Sequence, residues 1–514
     1  MDGVGRAGAT GYDRAMTIRV AFLAAECEPW AKTGGLADVV DALARALGRH
    51  PEAGTAEAGA GDLAAPVDVF LPRYRGVPVP EDALAEPPLT VADPAGGTPI
   101  TLSIIVVQAD GYRLRLVDHP KAFDRDGYYD HPDDAWRFAL FCRAALAALR
   151  RDGTPLDVLH VHDWHTGPAL LERARADLSN GDAWLRDVAV LATLHNLAYH
   201  GWTPLEKLGQ LGLVAGSPLL AQPDGIDLLR TAVERAELVN TVSPGFAREA
   251  LTPAFGMGLD GTLRDMGDRF FGILNGIDPE VWNPATDEAL AARYSAADMA
   301  GAATVRRDLL AHVGFDPDDE GPVLGMIGRL DPQKGFDLLE GGAADLLAAG
   351  ARIIVQGSGH PSLADPFRAL AAAEPRRVAF IERFDREMAR RIYAGADLFL
   401  MPSRFEPCGQ GQMIALRYGT PPVVRRTGGL ADSVVDVDEH PEAGTGFVFD
   451  DATPAALVAA VRRAMAVRSG QPSRWRALVA RGMAVDFRWD SASAPLYLAA
   501  YARAIALRRA AIRV

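Results

Sequence analysis

Residues 32–40 read KTGGLADVV and residues 426–434 read RTGGLADSV. Each is a basic residue followed by the hexapeptide TGGLAD, once in each half of a 514-residue chain. A short apolar run precedes each one, TIRVAFLAA at 17–25 and PVV at 422–424. After the first, a helical pattern runs over 36–47. Paired glycines let backbone approach a ligand closely, and the free N–H groups of a helix start favour anions. Each turn alone reads equally well as a packing turn. A matching pair, one per half, points to a ligand held between two units.

The pattern around the pair extends this reading. Further strand-like runs lie at 67–71, 158–161, 188–194 and 238–242, with Ala/Leu-rich helical stretches such as 135–149 between several of them. After the turn-rich 275–284 the alternation restarts, with strands expected at 323–327, 352–355, 378–381, 398–401, 422–424 and 447–449. Thr453-Pro454 opens a helix as N-cap and first-turn proline. Alternating strands and helices with buried strands imply parallel sheets covered on both faces. The fold class is therefore α/β, with two Rossmann-like doubly wound domains facing across a cleft. The expected divisions are a disordered leader at 1–16, domains at 17–275 and 276–490, and a helix at 491–514 that packs back on the first domain.

The chain has 53 basic and 67 acidic residues, a formal net charge of −14. Such a surface repels nucleic acid and anionic membranes, so an anionic substrate needs a local basic pocket. Cys27, Cys142 and Cys408 are widely spaced and form no CxxC pair, which fits a reducing cytoplasm. No apolar run approaches the ~18–20 residues that span a bilayer. The first fifteen residues, MDGVGRAGATGYDRA, lack a signal-peptide core, and Met16 is an alternative start.

Chemistry concentrates where the strands end. Lys32, before Gly34 and Gly35, suits a phosphate or a sugar hydroxyl, or else is a solvated loop lysine. Arg329 and Lys334, in GMIGRLDPQKG, follow a strand, the edge at which open α/β sheets bind ligands. Two fixed cations there suit a leaving diphosphate and make a metal unnecessary. His160, His162 and His165 in HVHDWH lack the spacing and partners of a zinc site, and Asp163 reads as a sugar-hydroxyl acceptor or a loop organiser. His195 is either a sugar contact or a hydrogen-bonded structural histidine. Glu406 either binds sugar hydroxyls or stabilises an oxocarbenium-like sugar, and Cys408 is a site contact or a small packed residue. The pairs Asp124/Asp126 and Asp436/Asp438 carry little weight as metal sites in so acidic a chain.

Together these strings resemble glycosyltransferase family 5, the bacterial glycogen synthases and plant starch synthases. The matching stretches are KTGGLADVVDALARAL (32–47), HVHDWHTG (160–167), HNLAYHGW (195–202), NTVSPGFAREALTPAFGMGLDG (240–261), GILNGIDPEVWNP (272–284), GRLDPQKGFDLL (328–339), PSRFEPCG (402–409) and RYGTPPVVRRTGGLADSV (417–434). They fall in order over nearly the whole chain after residue 17.

The resemblance implies a GT-B fold with its active site between the domains and no metal or other cofactor. The implied donor is ADP-glucose or UDP-glucose, with ADP-glucose favoured, the acceptor an α-1,4-glucan, and the anomeric outcome retention. The departing phosphate would serve as base for a front-face transfer. Residue by residue, Arg329 and Lys334 would bind the donor diphosphate, and Lys32, with Gly34 and Gly35, would approach it from the first domain. Glu406 and the backbone of Cys408, Gly409 and Gln410 would hold the glucose. His195 would lie near its C6, and Asn275 would also contact the sugar. Asp38 and Asp163 would belong to the acceptor side of the cleft. The turn Thr427, Gly428, Gly429 would approach the donor phosphates.

The chain departs from the family at Gln410, where leucine is usual, and at Arg230 and Arg306, where lysine is common. Residues 85–130 match only loosely, although FDRDGYY (123–129) keeps the outline of a segment near the base and acceptor. Alternatives are a transferase making another glucoside, against which the KTGGL start argues, and a silent glucan-binding protein, against which Lys32, Arg329, Lys334 and Glu406 argue. A nicotinamide dehydrogenase would need a GxGxxG turn after the first strand, and there is none. The sequence says nothing of oligomeric state.

Overall fold

The computed structural model describes residues 18–49, 67–179, 183–220 and 222–512. The leader and the alternative start at Met16 lie outside the described residues.

The second half is the simpler. Six parallel strands stand in the order Val378–Ile381, Arg352–Gln356, Val323–Ile327, Leu398–Met401, Pro422–Arg425, Phe447–Phe449. Numbered along this half of the chain, that is 3-2-1-4-5-6, the doubly wound order. Five of the six strands are buried at every residue or all but one, as unbroken apolar runs require. Helices cover both faces. Thr453 Oγ1 accepts the Ala456 N–H at 3.2 Å and starts the helix Pro454–Gly470.

The first half repeats this order with additions. Its parallel strands run Tyr112–Asp118, Val67–Pro72, Val20–Leu23, Val158–His162, Ala189–Leu194, Leu238–Thr241, Phe270–Gly272. At the Tyr112–Asp118 edge the sheet turns antiparallel. Ile100–Gln108 pairs with that strand as a hairpin, with the short strands Leu84–Ala85 and Leu89–Val91 beyond. The sequence pattern implies the parallel sheet, and this antiparallel edge is an addition to it. Arg113 and Arg115 interrupt the apolar pattern of Tyr112–Asp118. Arg115 is nonetheless buried, because Asp152 and Glu86 each pair with its guanidinium at 2.6 Å.

The last helix, Ala494–Ile512, buries Tyr497, Leu498, Tyr501, Ala504 and Ile505 in the core of the first sheet. Tyr501 Oη lies 2.9 Å from His160 Nδ1, and Asn240 Nδ2 donates to Tyr497 Oη at 3.2 Å. The two halves join where Ile277 N–H donates to Phe487 O at 2.8 Å. Ile273 and Trp489 belong to the first core, Ile277 and Phe487 to a core of the second half. Among the described residues no helix is long and apolar enough to cross a membrane.

Candidate active site

In each sheet the chain reverses direction between the strand numbered 1 and the strand numbered 4. Ligands bind at this switch point, outside the carboxyl ends of the strands. A cavity of about 520 Å³ lies there, walled by both halves.

The second-half wall follows Val323–Ile327 and Leu398–Met401. Beyond the first strand come Gly328 and Arg329, then a tight turn, Pro332–Lys334, capped by Asp331 Oδ1 accepting Gln333 N–H at 2.9 Å. Gly335 closes this turn with φ of 72°, and a Cβ there would stand 2.2 Å from the Pro402 carbonyl, so only glycine fits. Lys334 Nζ donates to Glu406 Oε2 at 2.6 Å, and Ser403 Oγ donates to the same oxygen at 3.0 Å. Glu406 is 5% exposed, so its charge depends on these partners. Arg329 lines the cavity, is exposed, and has no hydrogen-bond or ion-pair partner among the described residues. Cys408, Gly409 and Gln410 complete this wall.

The first-half wall follows Val20–Leu23, Val158–His162 and Ala189–Leu194. Glu26 accepts Thr33 N–H at 2.5 Å, Thr33 Oγ1–H at 2.6 Å, Gly34 N–H at 3.0 Å and Tyr129 Oη–H at 2.7 Å. These bonds fix the first TGGLAD turn, and Gly34 and Gly35 face the cavity with nothing within 4 Å of their Cβ positions. Asp163 has φ of 55° and accepts His195 N–H at 2.7 Å. Burial pushes its carboxyl up to about 7, against the N–H groups of His195 and Asn196. His195 Nε2 lies 3.0 Å from His162 Nδ1, and burial pushes His195 down to about 3, so its imidazole is neutral. Asn275 lines the cavity, and its Oδ1 is buried without a partner among the described residues.

The structure thus brings Gly34, Gly35, Asp163, His195, Asn275, Arg329, Lys334, Glu406, Cys408, Gly409 and Gln410 around one cavity. Five expected residues stand off its wall. Lys32 Nζ is held by Asp38 at 2.6 Å and Glu28 at 3.3 Å, so Lys32 and Asp38 satisfy each other beside the opening. Thr427 and Gly428 donate to Glu249, and Gly429 packs on the Cys408 backbone, so this turn supports the wall rather than forming it. Sequence reasoning missed Glu26, Tyr129, Ser403 and Gln333. The signal for Glu26 was its place at the end of the first strand. His160 is used structurally, between Tyr501 and Thr193 Oγ1 at 2.9 and 2.6 Å. Among the described residues no three or more His, Cys, Asp or Glu side chains are grouped to hold a metal.

Comparison with known proteins accords with this geometry. Residues 19–265 match the family described as starch synthase catalytic domain, and residues 321–466 match glycosyl transferases group 1. The chain is 39% identical to a glycogen synthase of Syntrophotalea carbinolica over 96% of this chain and 100% of that one. It is 42% identical to a glycogen synthase of an Anaeromyxobacter species over 94% and 99%. The catalytic domain of starch synthase IV from Arabidopsis thaliana, bound to ADP and acarbose, superposes with a TM-score of 0.84 at 32% identity, covering 95% of this chain and 100% of that domain. With two doubly wound sheets, a cleft between their switch points and this likeness along almost its whole length, the chain belongs to the glycogen and starch synthases, the retaining glycosyltransferases of family 5.

Proposed function

We propose that the cavity takes ADP-glucose as donor and the non-reducing end of an α-1,4-glucan as acceptor, with Arg329 and Lys334 on the diphosphate and Glu406 on the glucose. The observation that carries this reading is the 2.6 Å contact of Lys334 with buried Glu406 at the ends of adjacent strands. A cation suited to a leaving diphosphate stands beside a carboxylate suited to sugar hydroxyls, which supports the reading. The Arabidopsis relative's ADP and acarbose support the same pair of ligand types here.

The acceptor 4-hydroxyl attacks glucose C1 on the face from which the diphosphate departs. The C1–O bond to the diphosphate breaks, the new C1–O4 bond forms, and the departing phosphate takes the hydroxyl proton. Arg329 and Lys334 stabilise charge developing on that phosphate, so the chain's own cations serve where other transferases use a metal. Lys32 joins them by exchanging Asp38 and Glu28 for the diphosphate. The neutral imidazole of His195 and the amide of Asn275 bind sugar hydroxyls. Glucose is thereby held from both halves, in the alignment that makes transfer effectively unimolecular. The enzyme acts in the cytoplasm, in keeping with three buried free thiols.

Transfer from ADP-glucose and from UDP-glucose to maltooligosaccharide, each with EDTA, tests this reading. Chain growth from ADP-glucose that survives EDTA is the expected result. Growth from UDP-glucose alone, or growth abolished by EDTA, contradicts it.

A further inference from the structure

The repeated TGGLAD hexapeptide has a second property that the site above does not use. Each copy carries a glutamate on the same two donors. In the first, Glu26 accepts Thr33 Oγ1–H and Gly34 N–H at 2.6 and 3.0 Å. In the second, Glu249 accepts Thr427 Oγ1–H and Gly428 N–H at 2.9 and 2.8 Å. The origin of the glutamate differs. Glu26 lies in the same half as its turn, whereas Glu249 stands on the helix Pro244–Ala250 of the other half. That helix is rooted in the first sheet's core through Phe246, Ala247 and Ala250.

The rest of the helix reaches the same way. Gly245 N–H and the Arg248 guanidinium donate to Asp432, the last residue of the second repeat. Ser243 Oγ, at its N-cap, donates to the Pro407 carbonyl at 2.5 Å. The turn it grips lies directly against the loop that contains Glu406. Gly429 N–H donates to Glu406 O at 3.0 Å. A Cβ on Gly428 would stand 2.1 Å from that carbonyl, and one on Gly429 would stand 2.1 Å from the Cys408 carbonyl. Movement of the turn therefore moves the loop.

We propose that Glu249 is a positioning residue: by holding Thr427 and Gly428 from the first half, it sets where the 406–410 loop stands relative to the first-half wall. The proposal rests on the reading of that loop as the one that holds the transferred glucose. Glu249 lies off the cavity wall and acts through the turn. Without it, Arg329 and Lys334 keep their place at their own strand end, so ADP binding is unaffected. The glucose is then presented to the acceptor out of register, and a misplacement of about 1 Å can cost on the order of 10² in rate.

The test uses full-length Glu249→Ala and Glu249→Gln, with kcat for glucan elongation, the ADP dissociation constant and Tm measured for each. Glu249→Ala lowers kcat by about tenfold or more, the worth of one or two lost hydrogen bonds, with ADP affinity held within about twofold. Glu249→Gln, whose amide oxygen accepts the same two bonds, stays within about threefold of the parent in kcat. An unchanged kcat in Glu249→Ala, equal damage in both variants, or a parallel loss of ADP affinity overturns the proposal. If Glu249→Ala does not fold, Glu249→Asp, one methylene short of the turn, takes its place with the same expected and overturning results. Lys334→Ala run alongside separates the two levels. An active Lys334→Ala sinks the reading of the site, while an inactive Lys334→Ala beside a fully active Glu249→Ala sinks only the positioning role.

Discussion

Asp163 Oδ1 accepts the backbone N–H of His195 at 2.7 Å, tying the ends of two neighbouring strands together beneath the cavity. The bond favours the carboxylate, but burial outweighs it and raises the carboxyl to about 7. A folded-state value above the ordinary one means that folding takes up a proton between about pH 4 and 7. The stability this group contributes is complete below about pH 4 and is lost as pH rises toward 7. Asp163→Asn keeps an acceptor for His195 and tolerates positive φ, but it cannot titrate. Relative to the parent, the variant should gain stability steadily from pH 4 to 7 in denaturant melts. A difference independent of pH would contradict this.

His195 and His165 act in the opposite sense. Burial holds both down to about 3, and His160 and His162 are also pushed well below their ordinary range. Unfolding lets His195 and His165 take protons below about pH 6.5, so their contribution is present above that value and is lost as pH falls toward 3. Each costs up to about 1.4 kcal/mol per pH unit within the window. The Tm of His195→Asn should therefore fall less steeply than that of the parent between pH 6.5 and 4. Parallel curves would count against a neutral His195.

The two TGGLAD turns should respond differently to alanine. In Gly429→Ala the new Cβ meets Cys408 O at 2.1 Å and Cys408 Cα at 2.5 Å, backbone that cannot yield cheaply. A loss of about 1–3 kcal/mol or more in stability is expected, with activity falling alongside. In Gly35→Ala nothing lies within 4 Å, so stability should hold. Its methyl projects where donor is proposed to sit, and KM for ADP-glucose should rise. Urea melts and donor KM values for the pair check this. Equal destabilisation of both would refute the assignment of different roles.

Gln410 lines the cavity at the start of the helix Gly411–Arg417, and its side chain makes no hydrogen bond among the described residues. If the backbone alone serves the sugar, Gln410→Leu, which restores the family's usual residue, should keep kcat and KM within about twofold, as expected for a swap of similar volume. A change of tenfold or more in either would give the side chain a role.

Much of this was legible from sequence, for identifiable reasons. Val323–Ile327, Leu398–Met401 and Phe447–Phe449 were expected at those same bounds, because strands covered on both faces read as unbroken apolar runs. The hairpin Ile100–Gln108 with Tyr112–Asp118 was not, because one arm alternates and the other carries Arg113 and Arg115. Arg329, Lys334, Glu406 and His195 could be found because each follows a strand, where α/β sheets bind ligands. Glu26 carries the same signal, three residues past the first strand, and was passed over; Glu249 carries none. Its partners are a hydroxyl 178 positions away and a backbone N–H beside it, and nothing local marks it among 67 acidic residues. Thr427–Gly429 shows the converse limit. The hexapeptide announced a turn at a helix start, but only the fold shows that a glutamate takes its donors and that its glycines serve close packing.

The central claim is that Lys334, seated 2.6 Å from Glu406, carries charge off the departing diphosphate. The most direct test is kcat for maltooligosaccharide elongation from saturating ADP-glucose by Lys334→Ala, with folding verified by Tm. By analogy with the loss of one fixed oxyanion donor, kcat should fall by roughly 10²–10³. A variant that folds and stays within a fewfold of the parent would contradict the assignment.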